Sequence, residues 1–179
     1  MALIIRRVCP NDMPDELLNQ WADLYCSIWK EPPWNEDFWK PEEVILDIRR
    51  ELNLPNARAF LALADGSVVG FSWGYSVDSK AMQKIADNDK LNFLFTDNST
   101  VFYIDELGVN VKYRGQGIGK SLSRSLLDSI TVDKIASKVI LRTDEKAMSA
   151  RHVYTVLGFQ ELLTHDGKYP DRNYWTLML

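Results

Sequence analysis

The amino-acid sequence predicts an α/β fold of the α+β kind, in which helices flank a mixed, largely antiparallel central sheet. Two observations lead to this prediction. The second half of the chain alternates between strand and helix patterns, and the first half supplies a strand, two helices and a β-hairpin. Elements in this order bury their apolar faces by forming a sheet covered by helices. For a chain of 179 residues, one domain over residues 1–179 is expected.

The first half is predicted from apolar spacing, prolines and turn residues. Apolar residues recur at helical spacing through the segment that Pro10 and Pro14 open. Pro32 and Pro33 cannot lie inside a helix, and Asp65-Gly66 is a turn signal. The predicted elements are a strand over Leu3 to Val8, a helix over Asp15 to Ile28, a loop over Glu31 to Trp39, a helix from Pro41 to about Leu52, and a hairpin of Ala59 to Ala64 with Val68 to Val77.

The second half is predicted from runs of β-branched and aromatic residues that alternate with helical spacing. The run from Val101 is rich in residue types that favour strands. The predicted elements are a helix over Ser79 to Asp89, a strand over Val101 to Val109, a helix over Gly117 to Ile130, a strand over Val139 to Arg142, a helix over Lys146 to Val156, a turn at His165 to Lys168, and a final strand over Tyr174 to Leu179. The segment from Asp78 to Asn98 is expected to border the substrate site.

Composition and charge argue against several classes of protein. Hydrophobic residues make up 46% of the chain and charged residues 26%, which is typical of a globular protein. The net charge is −4 and the basic residues do not cluster, so no nucleic-acid partner is expected. No apolar stretch approaches the length of a membrane span and no secretory signal is present, so no membrane partner is expected and a cytoplasmic location follows by default.

The cysteines and histidines do not indicate a metal site. Cys9 and Cys26 lack the paired spacing of a disulfide framework or a zinc site, so both are expected to be buried free thiols. His152 and His165 are single and far apart in the sequence, so neither is assigned a role and no metal is expected.

A glycine-rich segment after a strand and at the start of a helix indicates a phosphate-bearing ligand. Residues 113–121 read Tyr-Arg-Gly-Gln-Gly-Ile-Gly-Lys-Ser. Glycines let the backbone approach a ligand closely, and free N–H groups at a helix start attract phosphate. A Walker A loop is disfavoured because Arg114 occupies its first glycine position, and a dinucleotide fingerprint because Lys120 occupies its third. The pattern that fits is Arg/Gln-x-x-Gly-x-Gly/Ala, at Arg114, Gly117 and Gly119.

In these residues the chain resembles the GNAT N-acetyltransferase family. The stretch from Tyr103 to Lys120 is similar to the family's acyl-CoA motif, and Ala150-x-x-x-Tyr154-x-x-x-Gly158-Phe159 is similar to its second motif. The resemblance covers Ser67 to Phe159. It implies a GNAT-type fold and an acyltransferase that uses acetyl-CoA as donor and releases CoA. A homodimer is also among the assemblies that the resemblance leads us to expect, because many relatives are dimers.

The resemblance implies which residues bind the donor. The CoA pyrophosphate would lie on backbone N–H groups of Arg114, Gly115, Gln116, Gly117, Ile118, Gly119 and Lys120. The pantetheine arm would pair like an extra strand with Leu107, Gly108, Val109 and Val111, and the N–H near Leu107 would polarise the thioester carbonyl. Asn110 is expected to form a bulge that separates this strand from the next. Many relatives carry an asparagine where this chain has Ala147, so one polar contact to CoA is missing or comes from another residue, such as Thr143.

Direct transfer to an amine requires a base for the amine proton and an acid for the departing sulfur. Tyr154 matches the position where many relatives place the acid; the alternative is a tyrosine packed on the helix face. Asp105 is the first choice for the base and Glu106 the second, with a remote base acting through water as a further option. Because they are adjacent on a strand, their side chains are expected to point to opposite faces, so at most one would face the acyl site.

The acceptor is expected to bind among aromatic and acidic residues, which suit a cationic amine. Trp34 and Glu36 of the proline-containing loop, with Trp73 and Tyr75 of the hairpin, are the candidates, whereas Trp29 and Trp39 are expected to fix the loop onto the core. The first reading is therefore acetylation of the primary amine of a small cationic molecule. The alternatives are acetylation of a protein or peptide amino group, a non-catalytic acyl-CoA sensor on the same fold, and a P-loop nucleotide binder, which Arg114 disfavours.

Overall fold

Seven strands and five helices make up the structure, a computed structural model that describes residues 2–9, 13–95 and 100–179. Pro10 and the end of the segment from Asp78 to Asn98 lie outside the described residues. The strands are β1 (Leu3–Val8), β2 (Arg58–Ala64), β3 (Ser67–Val77), β4 (Val101–Val109), β5 (Lys138–Asp144), β6 (Gln160–His165) and β7 (Arg172–Met178). The helices are α1 (Asp15–Trp29), α2 (Pro41–Glu51), α3 (Ser79–Ala86), α4 (Ile118–Val132) and α5 (Met148–Val156).

The strands form one sheet in the order β1-β2-β3-β4-β5-β7-β6, in which only the β4–β5 pair is parallel. The predicted fold class is thereby confirmed. The sequence prediction omitted β6, which is an edge strand paired to β7. Leu162 and Leu163 are adjacent, so β6 lacks clean alternation, and Leu163 is fully exposed. An edge strand that buries few side chains has only a weak alternation of apolar and polar residues.

Alternate residues of the central strands enter two different cores, as expected for a pleated sheet. On one face, Ala59 and Leu61 of β2 pack with α1 and α2, whereas Phe60 and Ala62 pack with α4 and α5 on the other face. Trp21 of α1 is fully buried, and its ring lies edge-on to a tryptophan of β3 with 5.2 Å between centroids. The sheet therefore separates the first two helices from the last two.

Cysteine burial differs from expectation at one position. Cys26 is buried in α1, but Cys9, just beyond the end of β1, is exposed, so the expectation of burial is wrong there.

A β-bulge lies in β4 at Asp105. Trp73 pairs with Glu106 and Gly74 pairs with Ile104, so Asp105 is an extra residue with no partner of its own on β3. The bulge expected at Asn110 is therefore wrong: Asn110 follows the end of β4, where its side chain accepts a hydrogen bond from the Lys112 N–H at 3.0 Å. Such a bulge bends its strand and increases the local twist.

β4 and β5 separate immediately after the bulge. Their parallel pairing runs from Val101–Lys138 to Ile104–Leu141, and beyond Leu141 strand β5 pairs only with β7. The last residues of β4 consequently have a strand neighbour on one side only, and the other side opens toward α5.

The bulge depends on the absence of a side chain at Gly74. A Cβ there would overlap the Tyr103 carbonyl oxygen and the Phe102 ring. We expect Gly74→Ala to lower the free energy of unfolding by about 1–3 kcal/mol, the usual effect of overpacking, and to lower Tm in a thermal melt. Gly119→Ala is the matched control, because its added methyl would meet its nearest neighbour at 3.7 Å. Equal melting temperatures for the two variants would contradict this account of Gly74.

Candidate functional site

A cleft of about 940 Å³ lies between the end of β4, the glycine-rich loop, the start of α5 and the segment after α1. Most residues that the sequence assigned to the donor line it: Leu107, Gly108, Val109, Arg114, Gly115, Gly117, Ile118, Gly119 and Lys120. Three assigned residues do not line it. Val111 and Gln116 are exposed nearby, and Thr143 is buried on β5, opposite Asn173. Ala147 does line the cleft.

The glycine-rich loop presents a series of free backbone N–H groups. Gly115 and Gly117 have φ of 75° and 78°, in the left-handed region that favours glycine. The first backbone hydrogen bond after the loop runs from Ser121 N–H to the Gly117 carbonyl at 3.0 Å, and within the described chain the N–H groups of residues 115–120 donate to no acceptor. Unsatisfied N–H groups at a helix N-terminus are an anion-binding arrangement.

Arg114 connects this loop to the segment after α1. Its Nη1 lies 2.6 Å from a carboxylate oxygen of Glu31, and its Nε donates to the Val109 carbonyl at 2.9 Å. The guanidinium therefore holds both the loop and the end of β4 at one side of the cleft.

A second, acidic cavity of about 350 Å³ adjoins the cleft. Both Asp105 and Glu106 line it, although adjacent strand residues were expected to face opposite ways. That expectation is wrong because the bulge breaks the alternation at Asp105. Trp29 and Trp34 line the cavity as well as the cleft, and Glu106 of the cavity is followed directly by Leu107 of the cleft. The two spaces therefore meet along β4.

Each of the two cavity carboxyls accepts a hydrogen bond from a tyrosine. Tyr25 Oη donates to Glu106 Oε1 at 3.1 Å, and Tyr75 Oη donates to Asp105 Oδ2 at 2.8 Å. Burial raises the pKa of both carboxyls above the usual range, and the charges of Asp105 and Glu51 raise the pKa of Glu106 further. A carboxyl with a raised pKa is suited to proton transfer near neutral pH.

Three of the four predicted acceptor residues line the acidic cavity. Trp34, Glu36 and Trp73 do so, whereas Tyr75 lies behind Asp105 and reaches the site only through its hydrogen bond. Trp29 packs in the core and Trp39 packs against it, as expected, but both also line the cavity.

The proline-containing loop is connected to β7 across this cavity. Glu36 pairs with Arg172 at 2.7 Å and accepts a hydrogen bond from Trp39 Nε1 at 2.8 Å. The Arg172 guanidinium also lies over two rings, 5.1 Å from the centroid of Trp34 and 4.2 Å from that of Tyr169.

Sequence reasoning missed several residues that line this cavity, among them Glu51, Arg142, Tyr169 and Arg172. The only signal for Arg142 was a charged residue in an otherwise apolar strand, a pattern that also fits a strand end. Arg142 pairs with Asp166 at 2.7 Å. Glu51 ends α2 and accepts a hydrogen bond from Trp73 Nε1 at 2.8 Å. Neither partnership is visible before the chain is folded.

Tyr154 lies in the core beside the cleft. Its ring centroid is 5.8 Å from that of Phe159 and 6.3 Å from that of Trp175, and its neighbour Val153 lines the cleft. Within the described chain the hydroxyl makes no hydrogen bond. Burial, with a contribution from the Glu106 charge, raises the pKa of the hydroxyl above its ordinary value.

The profile of the Acetyltransferase (GNAT) family matches residues 18–159, which include the cleft, the glycine-rich loop and all of the acidic cavity's lining except Tyr169 and Arg172. The chain belongs to the GNAT acetyltransferase family. No curated protein matches the sequence. No helix in the described ranges is long and apolar enough to cross a membrane, and no group of three or more His, Cys, Asp or Glu residues there is arranged to hold a metal ion.

Solved structures have a fold similar to this GNAT chain. PaiA N-acetyltransferase from Thermoplasma acidophilum in complex with coenzyme A gives a TM-score of 0.70 at 16% identity, covering 100% of both chains. A chain of the NatC complex bound to Gag peptide and CoA gives 0.71 at 16% identity, covering 100% of this chain and 99% of that one. The aminoglycoside acetyltransferase meta-AAC0020 from an uncultured soil metagenomic sample, in complex with trehalose, gives 0.64 at 23% identity, covering 91% and 93%. At these identities the likeness is one of fold.

The raised pKa of Glu106 predicts how the stability of the protein changes with pH. The pKa of a glutamate in the unfolded state is about 4.3. A carboxyl whose pKa is higher in the folded state does not affect the free energy of unfolding below that pH, and it lowers the free energy of unfolding as pH rises above it. We therefore expect Tm to fall between pH 5 and pH 8 by more in the wild type than in Glu106→Gln. Each pKa unit corresponds to about 1.4 kcal/mol, or a few degrees of Tm.

Glu43→Gln, which changes an exposed carboxylate of α2, is the control for this comparison. It should follow the wild type. A Tm of Glu106→Gln that falls as steeply with pH as that of the wild type would show that Glu106 titrates as an ordinary surface carboxyl.

Proposed function

We propose that this protein transfers an acetyl group from acetyl-CoA directly to the primary amine of a small cationic molecule. One observation carries the acceptor part of the proposal. Asp105 and Glu106 are half-buried carboxyls that face a cavity, and among the described residues neither forms an ion pair with a cation. Buried carboxylates are unfavourable unless a positive charge compensates them, and a bound ammonium group would do so.

The donor part rests on the adjoining cleft. Its free N–H groups at residues 115–120 suit the CoA pyrophosphate, and its volume of about 940 Å³ is ample for an elongated ligand. The open side of β4 from Leu107 to Val109 would receive the pantetheine arm. The thioester would then lie near Leu107, next to Glu106 and the acidic cavity.

The proposed reaction requires three proton movements. The bound ammonium group gives a proton to the Asp105–Glu106 pair, and the neutral amine attacks the thioester carbonyl. The N–H near Leu107 stabilises the resulting oxyanion. Collapse of the tetrahedral intermediate breaks the carbon–sulfur bond, and Tyr154 gives a proton to the departing thiolate. The second proton that the nitrogen loses as the amide forms restores the Tyr154 hydroxyl. The products are the acetylated amine, CoA and one released proton.

The size and lining of the cavity favour a small acceptor over a polypeptide. Its volume is about 350 Å³, and aromatic rings of Tyr25, Trp34 and Trp39 line it beside the carboxyls. Aromatic faces attract cations as well as excluding water. Similar folds occur in an aminoglycoside acetyltransferase and in the NatC complex bound to Gag peptide, so the fold itself fits either acceptor class.

Ligand binding and turnover together test the proposed function. We expect acetyl-CoA and CoA, but not ATP–magnesium, to raise Tm; a ligand specific for the folded state at a hundred times its Kd adds about 2.7 kcal/mol. We then expect CoA to be released with polyamines or aminoglycosides as acceptors, and little CoA to be released with a peptide at the same concentration. Binding of acetyl-CoA without turnover of any amine would indicate a sensor, and preferential acetylation of the peptide would indicate the alternative acceptor class.

The role of Tyr154 is tested by removing its hydroxyl. We expect Tyr154→Phe to lower kcat by about 10²-fold, within the usual range for acid catalysis, and to leave the affinity for acetyl-CoA unchanged. The neighbouring exposed side chain of Thr155 bonds the Arg151 carbonyl, so Thr155→Ala controls for effects on α5. A Tyr154→Phe variant with the kcat of the wild type would assign this tyrosine to core packing alone.

A further inference from the structure

A third carboxyl, Glu51, lies in the acidic cavity beside Asp105 and Glu106. The mechanism above gives it no role. It is the last residue of α2, whereas the other two come from β4, so only the packing of that helix on the sheet brings the three together.

The position of Glu51 is fixed by two hydrogen-bond donors. Trp73 Nε1 donates to its Oε2 at 2.8 Å, and Arg50 Nη2 donates to its Oε1 at 3.2 Å. Trp73 itself is buried, with 2% of its surface exposed, and pairs with Glu106 across the sheet. The same indole therefore bridges the third carboxyl to the strand that carries the other two.

Glu51, Asp105 and Glu106 are all partly exposed, and Glu51 has in addition a contact with an exposed side chain of α2. The Glu51 side chain is 17% exposed and contacts Arg50, whose side chain is 66% exposed. Asp105 and Glu106 each bond a buried tyrosine instead. While an amine fills the cavity that Asp105 and Glu106 face, a proton that leaves this pair through protein groups would pass Glu51 and its contact with Arg50.

The surroundings of Glu51 shift the pKa of its carboxyl. Burial, and then the charge of Asp105, raises the pKa of Glu51 to about 7, while the hydrogen bonds from Trp73 and Arg50 oppose the rise. The titratable and charged groups in its surroundings are Asp47 and Arg50 of α2, Tyr25 of α1, Tyr75 of β3, Asp105 and Glu106 of β4, Arg142 of β5, and Glu36, Tyr169 and Arg172 at the far side of the cavity.

We propose that Glu51 relays to solvent the proton that the Asp105–Glu106 pair removes from the acceptor ammonium. The inference rests on the proposed function. The proton moves from the ammonium nitrogen to the carboxylate pair, from Asp105 to the Glu51 carboxylate, and from Glu51 to water, so the pair is unprotonated again for the next turnover. Glu51 acts through Asp105 and does not touch the substrate, so it is a positioning residue that keeps the proton path to water open.

Glu51→Gln separates this role from a structural one. The glutamine oxygen still accepts the Trp73 hydrogen bond, but the amide cannot take a proton. We expect kcat to fall about tenfold at pH 8, a modest share of the usual effect of acid–base groups, and the rise of kcat through about pH 7 to disappear. The KM for acetyl-CoA should stay unchanged. Glu51→Asp, which keeps an ionisable group, should restore part of the pH-dependent rise, and Glu43→Gln on the exposed side of α2 should match the wild type.

The pH profiles from pH 6 to pH 9, with Tm recorded for each variant, decide between the outcomes. A Glu51→Gln enzyme that keeps the wild-type profile, or that loses the same factor at every pH, would overturn the relay and leave only a packing role. If the wild type acetylates an amine and Glu51→Gln gives either of these two results, the relay alone is overturned and the proposed function stands. A wild type that binds acetyl-CoA but acetylates no amine would instead overturn the proposed function, and the relay with it.

Discussion

The extra residue at Asp105 is the constraint on which both cavities depend. Opposite Gly74, β4 accommodates one residue more than β3, and the alternation of side chains is interrupted there. As a result Asp105 and Glu106 face one cavity instead of two sides of the sheet. β4 also stops pairing with β5 at Ile104, so its last residues are left open to the donor cleft. A regular strand would have kept the sheet closed and separated the carboxyls.

The acidic cavity is an electrostatically unfavourable arrangement that the protein stabilises only in part. Hydrogen bonds from Tyr25 and Tyr75 satisfy one oxygen of each strand carboxyl, yet the guanidinium of Arg142 is already paired with Asp166. Burial is the main cause of the raised pKa values of Asp105 and Glu106, and the charge of Arg142 opposes the rise only in part, which leaves the cavity short of positive charge. The same shortage is what makes a cationic acceptor a favourable ligand and a weakly acidic carboxyl an effective proton acceptor. In the proposed reaction, destabilisation of the free protein and recognition of the amine therefore have one physical origin.

The segment between α1 and α2 connects the glycine-rich loop beside the cleft with the acidic cavity. At its start Glu31 pairs with Arg114 of the glycine-rich loop, and further along Glu36 pairs with Arg172 of β7. Trp34, between these two ion pairs, lines both the cleft and the acidic cavity. A change in the glycine-rich loop would thus be transmitted through one short segment to the residues that line the acidic cavity.

The sequence by itself determined the local features: the helices and strands other than β6, the glycine-rich loop, and the family to which its motifs belong. These follow from periodicity, from glycines at positive φ, and from residues close together in the chain. The tertiary structure decided which side chains share a site. It placed Glu51 from α2 beside Asp105 and Glu106, and it brought Arg142 and Arg172 from two strands to the same cavity. It left Thr143 outside the lining of the cleft and Tyr75 outside the lining of the acidic cavity. The bulge at Asp105 was not predicted because it depends on the register between β3 and β4 and on the lack of a side chain at Gly74, and register is set by long-range packing that no local pattern records.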